Sequence, residues 1–305
     1  MSDLTSNDGT TSYLLDNRQR EAGQRFAAIA ELFDPWTLTH LERLGPMRGW
    51  HCWEVGAGGP ALPLALAERV GPSGRVLATD LDTSWLDGLD GLDGPDSRQA
   101  PGAQGERAES APIEVRRHDV VRDAPPAGPF DLVHVRLVLV HLPERAEVLR
   151  RLAAAVRPGG WLVVEDADPA LQPLACPDER GPAEQLANRI RRGFRALLAE
   201  RGVDLAFGRT LPGLLREAGL REVRAEGYFP VTSAACRTLE AATVRQLREQ
   251  LIAGGLATDA EIERHLDRLV SATPGEDAAA GAAEELDVTT APLITAWGRR
   301  AADEA

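Results

Sequence analysis

Residues Trp53–Ala61 read Trp-Glu-Val-Gly-Ala-Gly-Gly-Pro-Ala, set between the apolar run His51–Val55 and the helical stretch Leu62-Pro-Leu-Ala-Leu-Ala-Glu-Arg-Val70. A strand that turns through glycines into a helix is the opening of an α/β unit. Gly56 and Gly58 permit positive φ and let a ligand approach the backbone closely. The same residues satisfy the G-x-G-x-x-G/A pattern as Gly56, Gly58 and Ala61, and Asp80 ends the next strand where a ribose-binding acid belongs. Alone, the loop admits a dinucleotide, another nucleotide-like cofactor, or a tight turn without a ligand. Glu54, two residues before the first glycine, is a poor neighbour for a pyrophosphate and a good one for a positively charged cofactor.

Outward from this loop the short apolar runs HCWEV, RVLAT, IEVRR, DLVHV and WLVVE predict parallel strands separated by turns and helices. Val148, Leu149, Leu152 and Val156 mark a helix over 143–156, closed by Arg157-Pro158-Gly159-Gly160. Upstream, Phe26, Ile29 and Phe33, then Leu38, Leu41 and Leu44 beyond Asp34-Pro35, predict two helices within 14–45. Downstream, helices are expected around Leu186–Leu198, Leu211–Leu215, Val244–Leu251 and Ile262–Val270, the last with a capping box at Thr258–Glu261. EVRAEGYF at 222–229 and APLITAWG at 291–298 complete the strands. Two stretches, 87–112 and 273–288, are rich in Gly, Pro, Ala and acid without apolar periodicity, and are expected as disordered excursions from the core.

The composition of this 305-residue chain excludes whole classes of chemistry. All 34 basic residues are arginines, so Schiff-base catalysis, the P-loop and Ser-x-x-Lys acyl enzymes lack their amine. A net charge of −13 disfavours nucleic acid and anionic membrane as partners. Cys52, Cys176 and Cys236 show no metal-finger or disulfide spacing, and are expected as small packed side chains in a reduced, cytoplasmic setting. No targeting or bilayer-spanning run is evident.

Five motifs in order, W-E-V-G-A-G-G-P, L-A-T-D-L-D (77–82), R-H-D-V (117–120), F-D-L-V-H-V-R (130–136) and L-R-R-L-A-A-A-V-R-P-G-G-W-L-V-V-E-D (149–166), carry a resemblance to the class I S-adenosylmethionine-dependent methyltransferases. Within them the chain is most similar to bacterial, often actinobacterial, small-molecule methyltransferases of secondary metabolism. The resemblance implies an α/β, doubly wound, mostly parallel seven-stranded sheet. It also implies a helical cap over 1–48 and a cofactor domain over 49–300 with helical insertions at about 169–207 and 231–289. The implied cofactor is S-adenosyl-L-methionine, with S-adenosyl-L-homocysteine as product.

Carried over residue by residue, Gly56 and Gly58 would admit the methionine and ribose portions, and Glu54 would stand near the ammonium group through water or backbone. Asp80 would accept from the ribose hydroxyls, with Leu81 and Asp82 beside the adenosine; Asp119 would hold the adenine amino group, flanked by His118 and Val120. Arg136 would line the pocket, Arg25 would pair with the cofactor carboxylate and Tyr13 would cover it. Pro60 stands where many relatives have a third glycine, and its missing N–H bears on affinity while a first-turn proline leaves the fold intact.

Methyl transfer is an in-line displacement governed by positioning, and a base matters only if the acceptor must lose a proton. His141, after the fourth strand, is the base candidate, with a helix-entry histidine ahead of Pro143 as the plainer alternative. His134 is expected to pack within its strand or against a helix, and His40, His51 and His265 carry no signal. Glu165, Asp166 and Asp168 could line the rim, orient a substrate or simply be solvated; no resident metal is expected. The amphipathic segments 181–200 and 237–270 would shape a substrate pocket or pair with a second subunit. A hydroxyl of a small metabolite is the expected acceptor. Alternatives are a non-methylating conversion, such as a cyclisation or decarboxylation, on the same cofactor, and a nicotinamide-dependent oxidoreductase.

Overall fold

The computed structural model describes residues 20–89, 110–270 and 286–302. The central sheet is built from β1 (His51–Val55), β2 (Arg75–Asp80), β3 (Ile113–Arg117), β4 (Phe130–Arg136), β5 (Val156–Ala167), β6 (Arg221–Tyr228) and β7 (Leu293–Arg299). The strands lie in the order β3-β2-β1-β4-β5-β7-β6. β1 to β5 pair in parallel, and β7 runs antiparallel to both β5 and β6. The chain winds outward from β1 in both directions, so the order switches between β1 and β4, and the crevice at their carboxyl ends is where such sheets take ligands.

The helices are α1 (Arg20–Arg43), α2 (Ala61–Val70), α3 (Arg145–Ala155), α4 (Pro182–Glu200), α5 (Leu211–Glu217), α6 (Ala234–Gln246), α7 (Arg248–Ala253) and α8 (Asp259–Val270). Alternation along the strands sends Trp53, Val55, Val133, Val135, Leu162 and Val164 to one face, packed with α3 and α5. Cys52, Ala78, Leu132 and Val163 go to the other face, packed with α2 and Leu41 of α1. A third core joins Leu32 and Phe33 of α1 to α4, α6, α7 and α8, which together form a helical cap.

Three expectations change. The two helices expected within 14–45 are one from Arg20 to Arg43, with Pro35 inside it. The lost N–H at Pro35 is tolerated because Leu32, Phe33 and Thr37 on either side are buried against the cap and sheet. The helix expected around Val244–Leu251 is two, α6 and α7, meeting at Leu247. Arg157–Gly160 does not end as a free turn: β5 begins at Val156, and the excursion is absorbed as a register shift against β4 between Phe130 and Leu132.

Of the stretches 87–112 and 273–288, expected as disordered, 90–109 and 273–285 lie outside the described residues. Their flanks are anchored: Leu89 and Ala111 are buried beside α2, and Leu286 and Val288 are buried in the cap. Among the described residues no helix is long and apolar enough to cross a membrane.

Candidate active site

The glycine loop leaves β1 with Gly56 at φ 66 and Gly58 at φ 65, conformations that favour glycine. Its fold is held by Ala57 N–H donating to the Thr79 carbonyl (3.0 Å) and Gly58 N–H donating to Asp80 Oδ2 (2.9 Å). Absence of a side chain is also a packing requirement. A Cβ on Gly56 would collide with Val138, and one on Gly58 would stand 2.9 Å from the Phe26 ring of α1. Pro60 serves as the N-cap residue of α2, at φ −78, and Leu64 N–H reaches its carbonyl at 3.0 Å. The missing proline donor therefore costs the helix nothing.

Asp80 ends β2 facing this loop, with its Oδ1 accepting from Asp82 N–H at 3.1 Å. With the Leu81 N–H also near, these backbone donors still leave a carboxylate with acceptor capacity to spare. Burial raises the Asp80 pKa, partly offset by those backbone donors. Leu81 beside it is 58% exposed, an apolar side chain presented to the surface at the end of β2. After β3, Asp119 Oδ1 caps a turn by accepting from Val121 N–H (2.9 Å) and Arg122 N–H (3.2 Å), and Val120 is half-buried within that turn. His118 turns inward, edge-on to Trp53 with Nε2 3.1 Å from the Ala124 carbonyl, so its ring belongs to the core.

Helix α1 closes the crevice from above. Phe26 lies against Gly58 and edge-on to Trp85 at 6.1 Å, and Arg25 stacks over Phe26 at 4.9 Å while itself buried. Tyr13 lies outside the described residues. His141 ends a single 3-10 turn, Leu139–His141, that follows β4. Burial, reinforced by Arg25, pushes its pKa down to about 4, which keeps the imidazole neutral near pH 7. The turn is entered through Leu137 at φ 56, a conformation costing a leucine about 1–2 kcal/mol. It is held by Leu137 N–H donating to the Glu165 carbonyl (2.8 Å) and Val140 N–H donating to Asp166 Oδ2 (3.0 Å).

Several side chains are placed otherwise than expected. Arg136, half-buried at the end of β4, is tied to α1: its Nη2 pairs with Asp34 Oδ1 at 2.6 Å and its Nη1 donates to Thr37 Oγ1 at 3.0 Å. Glu54 is sealed from solvent and faces His134, whose Nδ1 is 2.6 Å from its Oε2, so its side chain stands behind the loop. The three acids at the end of β5, Glu165 and Asp166 within it and Asp168 just beyond it, do not form a rim. Glu165 and Asp166 are fully buried, and Asp168 is held by Arg209 through two bonds of 2.7 Å. In each case the charge is drawn inward by a partner from another element, which spacing along the chain does not reveal. His40 and His265, which carried no signal, are buried: His40 Nε2 reaches Glu226 at 3.0 Å and His265 Nε2 lies 3.5 Å from Glu240. The three cysteines are free and buried, as expected.

The sequence profile of a family described as a methyltransferase domain matches residues 54–225, more than half of the chain and the whole of the crevice from Glu54 onward. The chain belongs to this methyltransferase domain family. Methyltransferase str3 of Strobilurus tenacellus is 38% identical over 107 residues, which cover 33% of this chain and 35% of that protein. Nocamycin O-methyltransferase of Saccharothrix syringae is 30% identical over 146 residues, 46% of each chain. The similarity thus spans between a third and a half of the length of these relatives. Among solved structures, phosphoethanolamine N-methyltransferase 2 of Haemonchus contortus, in complex with phosphomonomethylethanolamine and S-adenosylhomocysteine, has a TM-score of 0.52 at 15% identity. It covers 96% of this methyltransferase-domain chain and 60% of its own, and it establishes likeness of fold.

Proposed function

We propose that the protein is an S-adenosyl-L-methionine-dependent methyltransferase that methylates a hydroxyl oxygen of a small molecule in natural-product biosynthesis. The observation that carries the reading is the crevice between β1 and β4. Two glycines at positive φ end one strand there, and the buried carboxylate of Asp80 ends the neighbouring strand against the same loop. These residues fit the cofactor: Gly56 and Gly58 bring backbone to the surface of the crevice, Asp80 keeps free acceptor positions for ribose hydroxyls, and Leu81 offers an apolar surface beside them. Asp119 and Val120 would meet the adenine, and Arg25, on α1, would balance a carboxylate. Bound there, the cofactor supplies a methyl group on a sulfonium and leaves as S-adenosyl-L-homocysteine. A hydroxyl acceptor in secondary metabolism is supported by the name of the nocamycin relative.

The protein's contribution is then chiefly orientation and exclusion of water by α1 and the cap. His141 is neutral at pH 7 and able to accept the acceptor hydroxyl's proton or hydrogen bond. At a pKa of about 4 it is a weak base, so its role is to orient the oxygen more than to strip it.

Thermal denaturation with S-adenosyl-L-methionine, S-adenosyl-L-homocysteine and NADH tests the reading, because a ligand at one hundred times its Kd adds about 2.7 kcal/mol. A shift with the two sulfur nucleotides alone is expected, and Asp80→Ala, which also frees the Gly58 and Asp82 N–H groups, should abolish most of it while lowering the unliganded melting temperature without global unfolding. A shift with NADH alone would replace the reading by an oxidoreductase.

A further inference from the structure

On the sheet face that α1 covers, four adjacent strands carry polar side chains at one level: Glu54 on β1, His134 on β4, Glu165 on β5 and Thr295 on β7. Glu54 and His134 are register partners, as are Glu165 and Thr295. One step toward the amino ends, the same face carries buried Cys52, Leu132 and Val163. A polar row therefore caps an apolar floor directly behind the glycine loop.

The bonds in this row converge on its two carboxylates. His134 Nδ1 is 2.6 Å from Glu54 Oε2, and its Nε2 is 3.3 Å from Glu165 Oε2. Thr295 Oγ1 donates to Glu165 Oε1 at 2.6 Å. From above, Thr37 of α1 donates its hydroxyl to Glu165 Oε2, and Trp36 Nε1 donates to Thr295 Oγ1 at 2.9 Å. Arg136 completes the attachment through Thr37 and Asp34. An imidazole donating from both nitrogens satisfies both carboxylates, and each threonine accepts one bond and donates the next.

Stability alone does not account for such a row, because aliphatic side chains of similar volume would pack here without desolvating two carboxylates and an imidazole. What the row supplies is one geometry between two bodies. At one end Glu54 precedes the loop glycine Gly56 by two residues. At the other, Asp34, Trp36 and Thr37 hold the helix whose preceding turns place Phe26 on Gly58 and Gly23 on Trp85. The two ends of the row are the two walls of the crevice.

We propose that His134 is a positioning residue: by holding Glu54 on one ring nitrogen and Glu165 with Thr37 on the other, it sets α1 above the glycine loop, and cofactor affinity depends on it. The inference rests on the cofactor reading above for its ligand, while the coupling between helix and loop is testable without any ligand.

The test uses His134→Gln, Thr37→Val and the double variant in the full chain. Backbone hydrogen exchange is followed in α1, in the glycine loop and, as internal reference, in α8; S-adenosyl-L-homocysteine binding is measured by calorimetry. Each single variant should speed exchange across 22–33 and 56–59, leave α8 protected, and weaken binding about tenfold. Because both act through Glu165, the double variant should lose little more than the weaker-binding single. Unchanged α1 exchange in both singles overturns the proposal, as do fully additive losses in the double variant. Should His134→Gln lose protection everywhere, Thr37→Val decides: loosened α1 with intact α8 supports the coupling, and unchanged α1 sinks it. A wild-type protein that fails to bind S-adenosyl-L-homocysteine removes the methyltransferase reading instead, and the exchange result still decides whether His134 positions α1.

Discussion

Two buried clusters of acid and histidine differ in how tightly they are drawn. In the sheet, His134 lies between Glu54 and Glu165, and the cluster is knitted to α1 by Thr37 and Arg136. In the cap, Arg191 of α4 grips Glu240 of α6 at 2.5 Å, while His265 of α8 stands 3.5 Å from the other oxygen. Arg191 also reaches the Thr289 carbonyl at 3.3 Å. The first cluster joins the parts that frame the crevice; the second joins three helices to one another. Buried charge thus serves two ends in one chain, a directed geometry at the site and a pin inside the cap.

The sharpest way to break this contrast is Arg191→Met. Removing one partner of the buried pair leaves Glu240 with His265 alone and should cost about 3–5 kcal/mol in urea unfolding, with the folded fraction binding cofactor as tightly as wild type. Weakened binding at unchanged stability would make the cap cluster part of the site and erase the distinction.

A second separation is by pH. Burial opposes the charge of Glu240, but Arg191 and His265 outweigh it and hold its pKa at about 2. A carboxylate depressed in the folded state contributes stability above its unfolded value near 4.5, and that contribution fades as pH falls toward 2. For His134 burial acts downward, and Glu54 with Glu165 overcomes it to hold the imidazolium up to about 9. Its contribution is full below about 6.5 and fades as pH rises through 9. Urea midpoints measured against pH should therefore show Glu240→Gln converging on wild type in acid and His134→Gln converging on it in alkali. Convergence of both at the same end would mean that one cluster has the wrong charge state.

The smallest effect probes the cap alone. Thr258 N–H donates to Glu261 Oε2 at 2.8 Å and Glu261 N–H donates to Thr258 Oγ1 at 3.3 Å, a complete capping box at the start of α8. Thr258→Ala should lower stability by about 1 kcal/mol without touching ligand binding. A change in cofactor affinity from this position would show that the cap and the crevice are coupled more closely than the two clusters suggest.

The capping box was legible because its bonds close within four residues, and so was the glycine loop. The strands were legible too, since alternation between two covered faces leaves apolar runs of the right length. Asp80 and Asp119 stand at the strand ends where the motifs put them. The settings of Arg136, Glu54 and the acids at the end of β5 were not legible because their partners come from far along the chain, 26 positions away for Asp166 and Val140 and 102 for Arg136 and Asp34. For His134 the only signal in the chain was a polar residue in an apolar strand, which says that a partner exists without saying which. Pro35 misled for a related reason: local rules end a helix there, and burial of Phe33 and Thr37 on either side carries it through.

By itself the sequence determined the α/β class, the parallel core, the turn that exposes backbone at Gly56 and Gly58, and the exclusion of lysine chemistry, because period, φ preference and residue type are local properties. Only the tertiary structure decided which charges face the crevice and which are locked behind it. That choice is made by desolvation: a charge can be buried only where another element delivers its partner, and the partners of Glu54, His134 and Glu165 meet only when β1, β4, β5 and α1 are assembled.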